Sequence, residues 1–128
     1  MQTRQTSLAF VTLALVAVGS TGHGPAPAAA APAAKAARAC PAPKYPGSGY
    51  FTSLRVSHTS CASGKKVALA HYTCRRAHGV TGRCSRTVLH YRCKESRPSS
   101  GRIPTQYTAK VTCKRGSRRV VFAYQQNT

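Results

Sequence analysis

The sequence predicts an α+β domain: one helix packed on a small mixed four-stranded sheet, in the order β-α-β-β-β, stapled by disulfides. Three observations lead there. A cysteine-flanked stretch with helical spacing runs over Ser60–Gly79, one alternating strand-like run precedes it and three follow, and six cysteines lie between positions 40 and 113. A domain confined to residues 40–128 is of a size at which hydrophobic burial alone is marginal, so covalent staples fit the length.

The first strand is Tyr50–His58, whose strict alternation puts Tyr50, Leu54 and Val56 on one side and Phe51, Ser53, Arg55 and Ser57 on the other. Pro46-Gly47-Ser48-Gly49 before it is turn chemistry. The helix follows at once. Ser60 is placed to cap its first free N–H groups, Gly79 is placed to leave it in a left-handed conformation, and Arg75, Arg76 and His78 put positive charge near its carbonyl end. Val67, Ala70, Cys74 and Ala77 recur at helical spacing as a narrow stripe of small residues that faces the sheet. Gly64 opposes the helix by about 1 kcal/mol relative to Ala, a small objection near the first turn.

After a loop holding Gly82 and Cys84, Thr87–Cys93 reads as the second strand with Leu89, Tyr91 and Cys93 inward, and Lys94–Pro104 as a polar loop. Gln106–Cys113 is the third strand, Lys114–Gly116 a short turn, and Arg119–Tyr124 the hairpin partner that finishes the sheet. A right-handed strand-helix-strand crossover sets the first two strands parallel, with the last three antiparallel to one another. In that arrangement Leu54, Val56, Leu89, Tyr91, Cys93, Tyr107, Ala109, Val111, Cys113, Val120, Phe122 and Tyr124 face the helix.

Upstream, residues 1–30 resemble a secretory signal: Arg4, the apolar run Leu8–Gly19, then small residues with two candidate cleavage sites, around Ala17-Val18-Gly19 and Ala28-Ala29-Ala30. The apolar run is shorter than the roughly 20 residues a membrane span requires. Residues 31–39 continue as an Ala/Pro-rich spacer unable to form a core. The expectation is a secreted, extracellular or wall-associated monomer, and an even cysteine count behind an export signal favours three disulfides. The predicted topology selects Cys61–Cys93, Cys74–Cys84 and Cys40–Cys113.

Charge narrows function further. Lys and Arg total 20 against one acid, Glu95, a net charge of +19. The favoured partners are polyanions: cell-wall polymers, nucleic acid, sulfated glycans or an anionic membrane surface. The plainer alternative is a composition that keeps the chain soluble.

Ser60-Cys61-Ala62, Tyr91-Arg92-Cys93, Val111-Thr112-Cys113-Lys114-Arg115-Gly116 and Val120-Val121-Phe122 resemble motifs of a group of uncharacterised small secreted cysteine-containing proteins predicted from actinobacterial genomes. The similarity covers about residues 50–124 and implies secretion and an α+β domain, with no activity attached. Cys74 and Cys84 stand outside that pattern, which fits a local pair.

One acid cannot serve as a carboxylate pair, and with no Asp there is none to orient a triad histidine. Two other chemistries have fragments in the chain: His90 near Glu95, as in a small secreted hydrolase such as a ribonuclease, and Cys74 with His78 or His90 with Cys93, as in parts of a zinc site. Cys61 at a helix N-terminus is a third, read as a structural cysteine. No cofactor, metal or catalytic residue is assigned, and the enzyme reading is the lesser one. A cationic binding module is the leading expectation, with the hydrolase and a structural envelope protein behind it. Its site is the face opposite the helix, where alternation gathers Arg55, Arg92, Lys110 and Arg119, with Phe51 beside them.

Overall fold

Arg118–Asn127 alternates without interruption, burying Val120, Phe122, Tyr124 and Gln126 on one side, and this strand forms the middle of the sheet. In the computed structural model of the chain, which describes residues 36–98 and 104–128, the elements are β1 (Arg38–Ala39), β2 (Gly49–Ser57), α1 (Cys61–Arg76), β3 (Arg92–Ser96), β4 (Gln106–Arg115) and β5 (Arg118–Asn127). They build a five-stranded sheet in the order β1-β2-β5-β4-β3, with every neighbouring pair antiparallel. The expected signal segment and most of the expected spacer lie outside the described residues.

This corrects the mixed four-stranded sheet expected from sequence: the fold is one helix on an all-antiparallel, mostly β scaffold. Two physical reasons account for the difference. The Gly116-Ser117 hairpin, with Gly116 at φ 54°, folds β5 back on β4, and the apolar inner side of β5 takes the slot beside β2. The strand after the helix, Arg-Cys-Lys-Glu-Ser, is short and charged, and it sits at the far edge. Such residues are suited to an edge and poor in a centre. The fifth strand comes from the end of the Ala/Pro stretch, where Arg38–Ala39 pairs with Val56 and Arg55.

The second strand is also displaced. Val88 and Tyr91 exchange backbone hydrogen bonds around Leu89 (φ 48°) and His90 (φ 64°), a tight turn that throws Leu89 outward to 50% exposure. In β2 a bulge between Phe51 and Ser53 inverts the alternation before it. Phe51 therefore packs inward on Tyr45 and Phe122, while Tyr50 stands out in solvent, the reverse of strict alternation.

Ser60 caps α1 through its Oγ, which accepts from Ser63 N–H at 3.1 Å. The buried face runs through Gly64, Val67, Ala68, His71, Cys74 and Arg75, and Ala77 is exposed. Gly64 has a packing reason: a Cβ there would meet Val56 Cγ1 at 2.6 Å, so its absence lets the helix settle on β2. The inner surface of the sheet and this helix face enclose the core, centred on Val56, Val67, Val111, Val120, Phe122 and Tyr124.

Three disulfides staple the described domain: Cys40–Cys61, Cys74–Cys84 and Cys93–Cys113. Cys74–Cys84 is one of the expected pairs; Cys61–Cys93 and Cys40–Cys113 are not formed. With β3 at the far edge, Cys93 lies directly opposite Cys113 in the β3–β4 ladder. Cys40 hydrogen-bonds Leu54 O through its backbone N–H, which brings it beside the start of the helix and Cys61.

Candidate functional site

The helix covers only one face of the sheet. On the other, the ladder fixes which side chains are neighbours: Arg92 opposite Lys114, Lys114 opposite Arg119, Lys94 opposite Thr112, and Lys110 opposite Ser96 and Ala123. Arg92, Lys94, Lys110, Lys114 and Arg119 border one groove of about 760 Å³. Thr112 lies on its floor, and Val121 and Ala123 flank Thr112 and Lys110 on β5.

Three of the four cations expected from sequence, Arg92, Lys110 and Arg119, meet here. Arg55 does not. It lies on β2 opposite Val121, and its Nη2 donates to Ala37 O at 3.2 Å, towards the β1 edge. Phe51 is inside the core. Lys94 and Lys114 complete the cluster: strands ending at Cys93 and Cys113 would put them in a loop and a turn, but β3 and β4 run on through both. The signal was present: Arg92-x-Lys94 and Lys110-x-Thr112-x-Lys114 carry the alternation past Cys93 and Cys113.

Across one row of the ladder, Arg92, Lys114 and Arg119 stand directly side by side. Like charges directly opposite in a sheet are destabilising. No acid relieves them, because Glu95 alternates to the other face. Its side chain is 4% exposed and accepts a hydrogen bond from Arg97 Nε, with Arg83 Nη1 at 3.8 Å and His71 Nε2 at 3.7 Å. Arg97 is held on the far side as well, donating to Thr81 O at 2.7 Å and Gly82 O at 2.6 Å and lying 4.3 Å over the Tyr107 ring.

Two basic side chains of the helix are withdrawn into the interior. Arg75, 1% exposed, donates to Tyr45 Oη, Gln126 Oε1, Tyr107 Oη and Val80 O, and its guanidinium stacks on Tyr72 and Tyr124. All of its hydrogen-bond acceptors are neutral. Its place near the helix end suits a dipole-complementing charge, but its position one turn after His71 on the buried face turns it inward. Burial lowers the pKa of His71 to about 4, with Arg75 and Arg97 adding to the effect and Glu95 opposing it. The ring is neutral near pH 7. Burial also raises Tyr45 to about 12 and raises Tyr124, so both phenols stay protonated.

The chemical fragments noted in the sequence are pulled apart. His90 is on an exposed turn while the Glu95 carboxylate is buried against Arg97. Cys74 and Cys93, the sulfur members of the two zinc-like spacings, are in disulfides, as is Cys61. Among the described residues no group of three or more His, Cys, Asp or Glu side chains gathers to hold a metal, and no helix is long and apolar enough to cross a membrane. No family model, curated protein or solved structure matches the chain.

Proposed function

We propose that this protein is a secreted cationic binding module that holds an extracellular or cell-wall polyanion on the open face of its sheet. One observation carries the reading: three cations opposed in a single ladder row, with two more around the same groove, and the chain's one acid turned to the opposite side. A basic composition alone spreads charge over the surface. It does not require like charges in register, an arrangement whose cost a bound anion offsets. The three disulfides suit an oxidising compartment, in keeping with export.

The test compares two variants of equal net charge. Lys94→Gln, Lys110→Gln and Lys114→Gln together remove three of the five groove cations, while Lys44→Gln, Lys65→Gln and Lys66→Gln remove charge elsewhere. Heparin or oligonucleotide affinity should fall much further in the first, and its log–log salt slope should flatten by about 2, at about 0.7 per lost phosphate contact. Equal losses in both would mean diffuse attraction and end the localised site.

A further inference from the structure

We propose that the occupant of this groove is a single phosphodiester chain without bases, a polyol-phosphate polymer, gripped through its phosphates alone; this rests on the polyanion reading above. Spacing is the first argument. Arg92 and Lys94 are two residues apart on β3, and Lys110 and Lys114 are four apart on β4. Side chains on one face of a strand repeat every 6.7 Å or so, about twice the rise per residue. That repeat is close to the step between successive phosphates in an extended chain. Taken over β3 and β4 together, three successive rows each hold a cation, Arg92 with Lys114, then Lys94, then Lys110, so three consecutive anions can each meet one without the chain bending.

The surroundings of the groove supply the second argument. Its floor and flank are the small side chains Thr112, Val121 and Ala123, which admit a thin chain and offer nothing for a base to stack on. Sequence-tolerant binders of single-stranded nucleic acid place rings on the binding surface. Here Tyr45, Phe51, Phe122 and Tyr124 are packed together on the inner face. The exposed ring of Tyr50 stands on the same face but on β2, outside the groove's lining and one same-face repeat beyond the Lys110–Ala123 pair, where it pairs with Gln125 and donates its hydroxyl to Gln125 Oε1. A duplex is disfavoured by footprint. The groove cations lie on the three neighbouring strands β3, β4 and β5, about 10 Å across at about 4.8 Å per strand, which matches one backbone rather than the two of a duplex.

The experiment measures binding of the folded, oxidised protein to three fluorescent probes with equal numbers of phosphates at one salt concentration. They are an oligomer of propanediol phosphate, oligo(dT) and a DNA duplex, with heparin as a reference polyanion. The baseless oligomer should bind within about threefold of oligo(dT), since one stacked base would add about fivefold or more. It should bind tighter than the duplex, and the Lys94, Lys110 and Lys114 triple substitution should weaken both single chains by the same factor. Tenfold preference for oligo(dT) would overturn the inference by showing that bases are read, and preference for the duplex would overturn it by showing a wider contact. Binding of heparin with no binding of the phosphodiester probes would refute the inference and leave the polyanion reading standing. Failure to bind all four would remove both.

Discussion

Lowering the pH from 7 to 4 should destabilise the fold by an amount set mainly by His71. The folded protein keeps this ring neutral until the pH approaches about 4, whereas the unfolded chain protonates it near the ordinary value of 6.5. Between those two values the unfolded state binds the extra proton, so stability is full above about pH 6.5 and falls as the pH drops towards 4. At about 1.4 kcal/mol per pH unit the gap is worth about 3 kcal/mol. The ring is 1% exposed, so solvent screening takes little away. For a domain of this size that corresponds to a fall in Tm of about 12–24 °C. Urea unfolding followed by circular dichroism across pH 4–7 gives the slope, and the same series on His71→Phe isolates its source. A wild-type slope that persists undiminished in the variant would refute the assignment to His71.

Other outcomes follow from the same packing. Gly64→Ala should lower stability by about 1–2 kcal/mol, because the strain of a Cβ 2.6 Å from Val56 Cγ1 exceeds the helix-propensity gain; a raised urea midpoint would contradict the close approach of α1 and β2. Arg75→Met should change stability by less than about 2 kcal/mol, since Tyr45 still donates to Gln126 and Tyr107 to Val80, whereas Arg97→Met strands the buried Glu95 carboxylate and should cost about 3–5 kcal/mol. Cys93→Ser with Cys113→Ser should cost about 3 kcal/mol, speed amide exchange in β3 before β2 and β5, and weaken anion binding by freeing Arg92 and Lys94; unchanged exchange in β3 would mean the ladder alone holds that edge.

The parts of the fold written in local pattern were legible. Alternation in Gln106–Cys113 and Arg119–Tyr124 marked two strands, and Ser60 marked the helix start. Strand order was not legible, because it depends on competition among strands for the central slot. The apolar inner side of Val120, Phe122 and Tyr124 wins it, and Arg92–Ser96 is left at the edge. The two wrong disulfides followed from that one misplacement. At the site, Arg92, Lys110 and Arg119 could be read from period-two spacing, but Arg55 depended on the wrong strand neighbours. Phe51 was misplaced by a bulge that nothing in Tyr50-Phe51-Thr52-Ser53 announces. Arg75 and His71 were hidden for another reason: their helical positions matched the buried face, but their polarity argued for solvent. Only Tyr45, Tyr107 and Gln126, drawn from distant parts of the chain, with the nearby Val80 carbonyl, make burial of the guanidinium tolerable.

The open sheet face as a localised anion site is tested most directly by amide and side-chain chemical-shift mapping during titration with the propanediol-phosphate oligomer. Saturable shifts should concentrate on Arg92, Lys94, Lys110, Thr112, Lys114 and Arg119, leaving Lys44, Lys65 and Lys66 nearly still. Shifts of similar size at all exposed cations, or shifts centred on the helix, would contradict it.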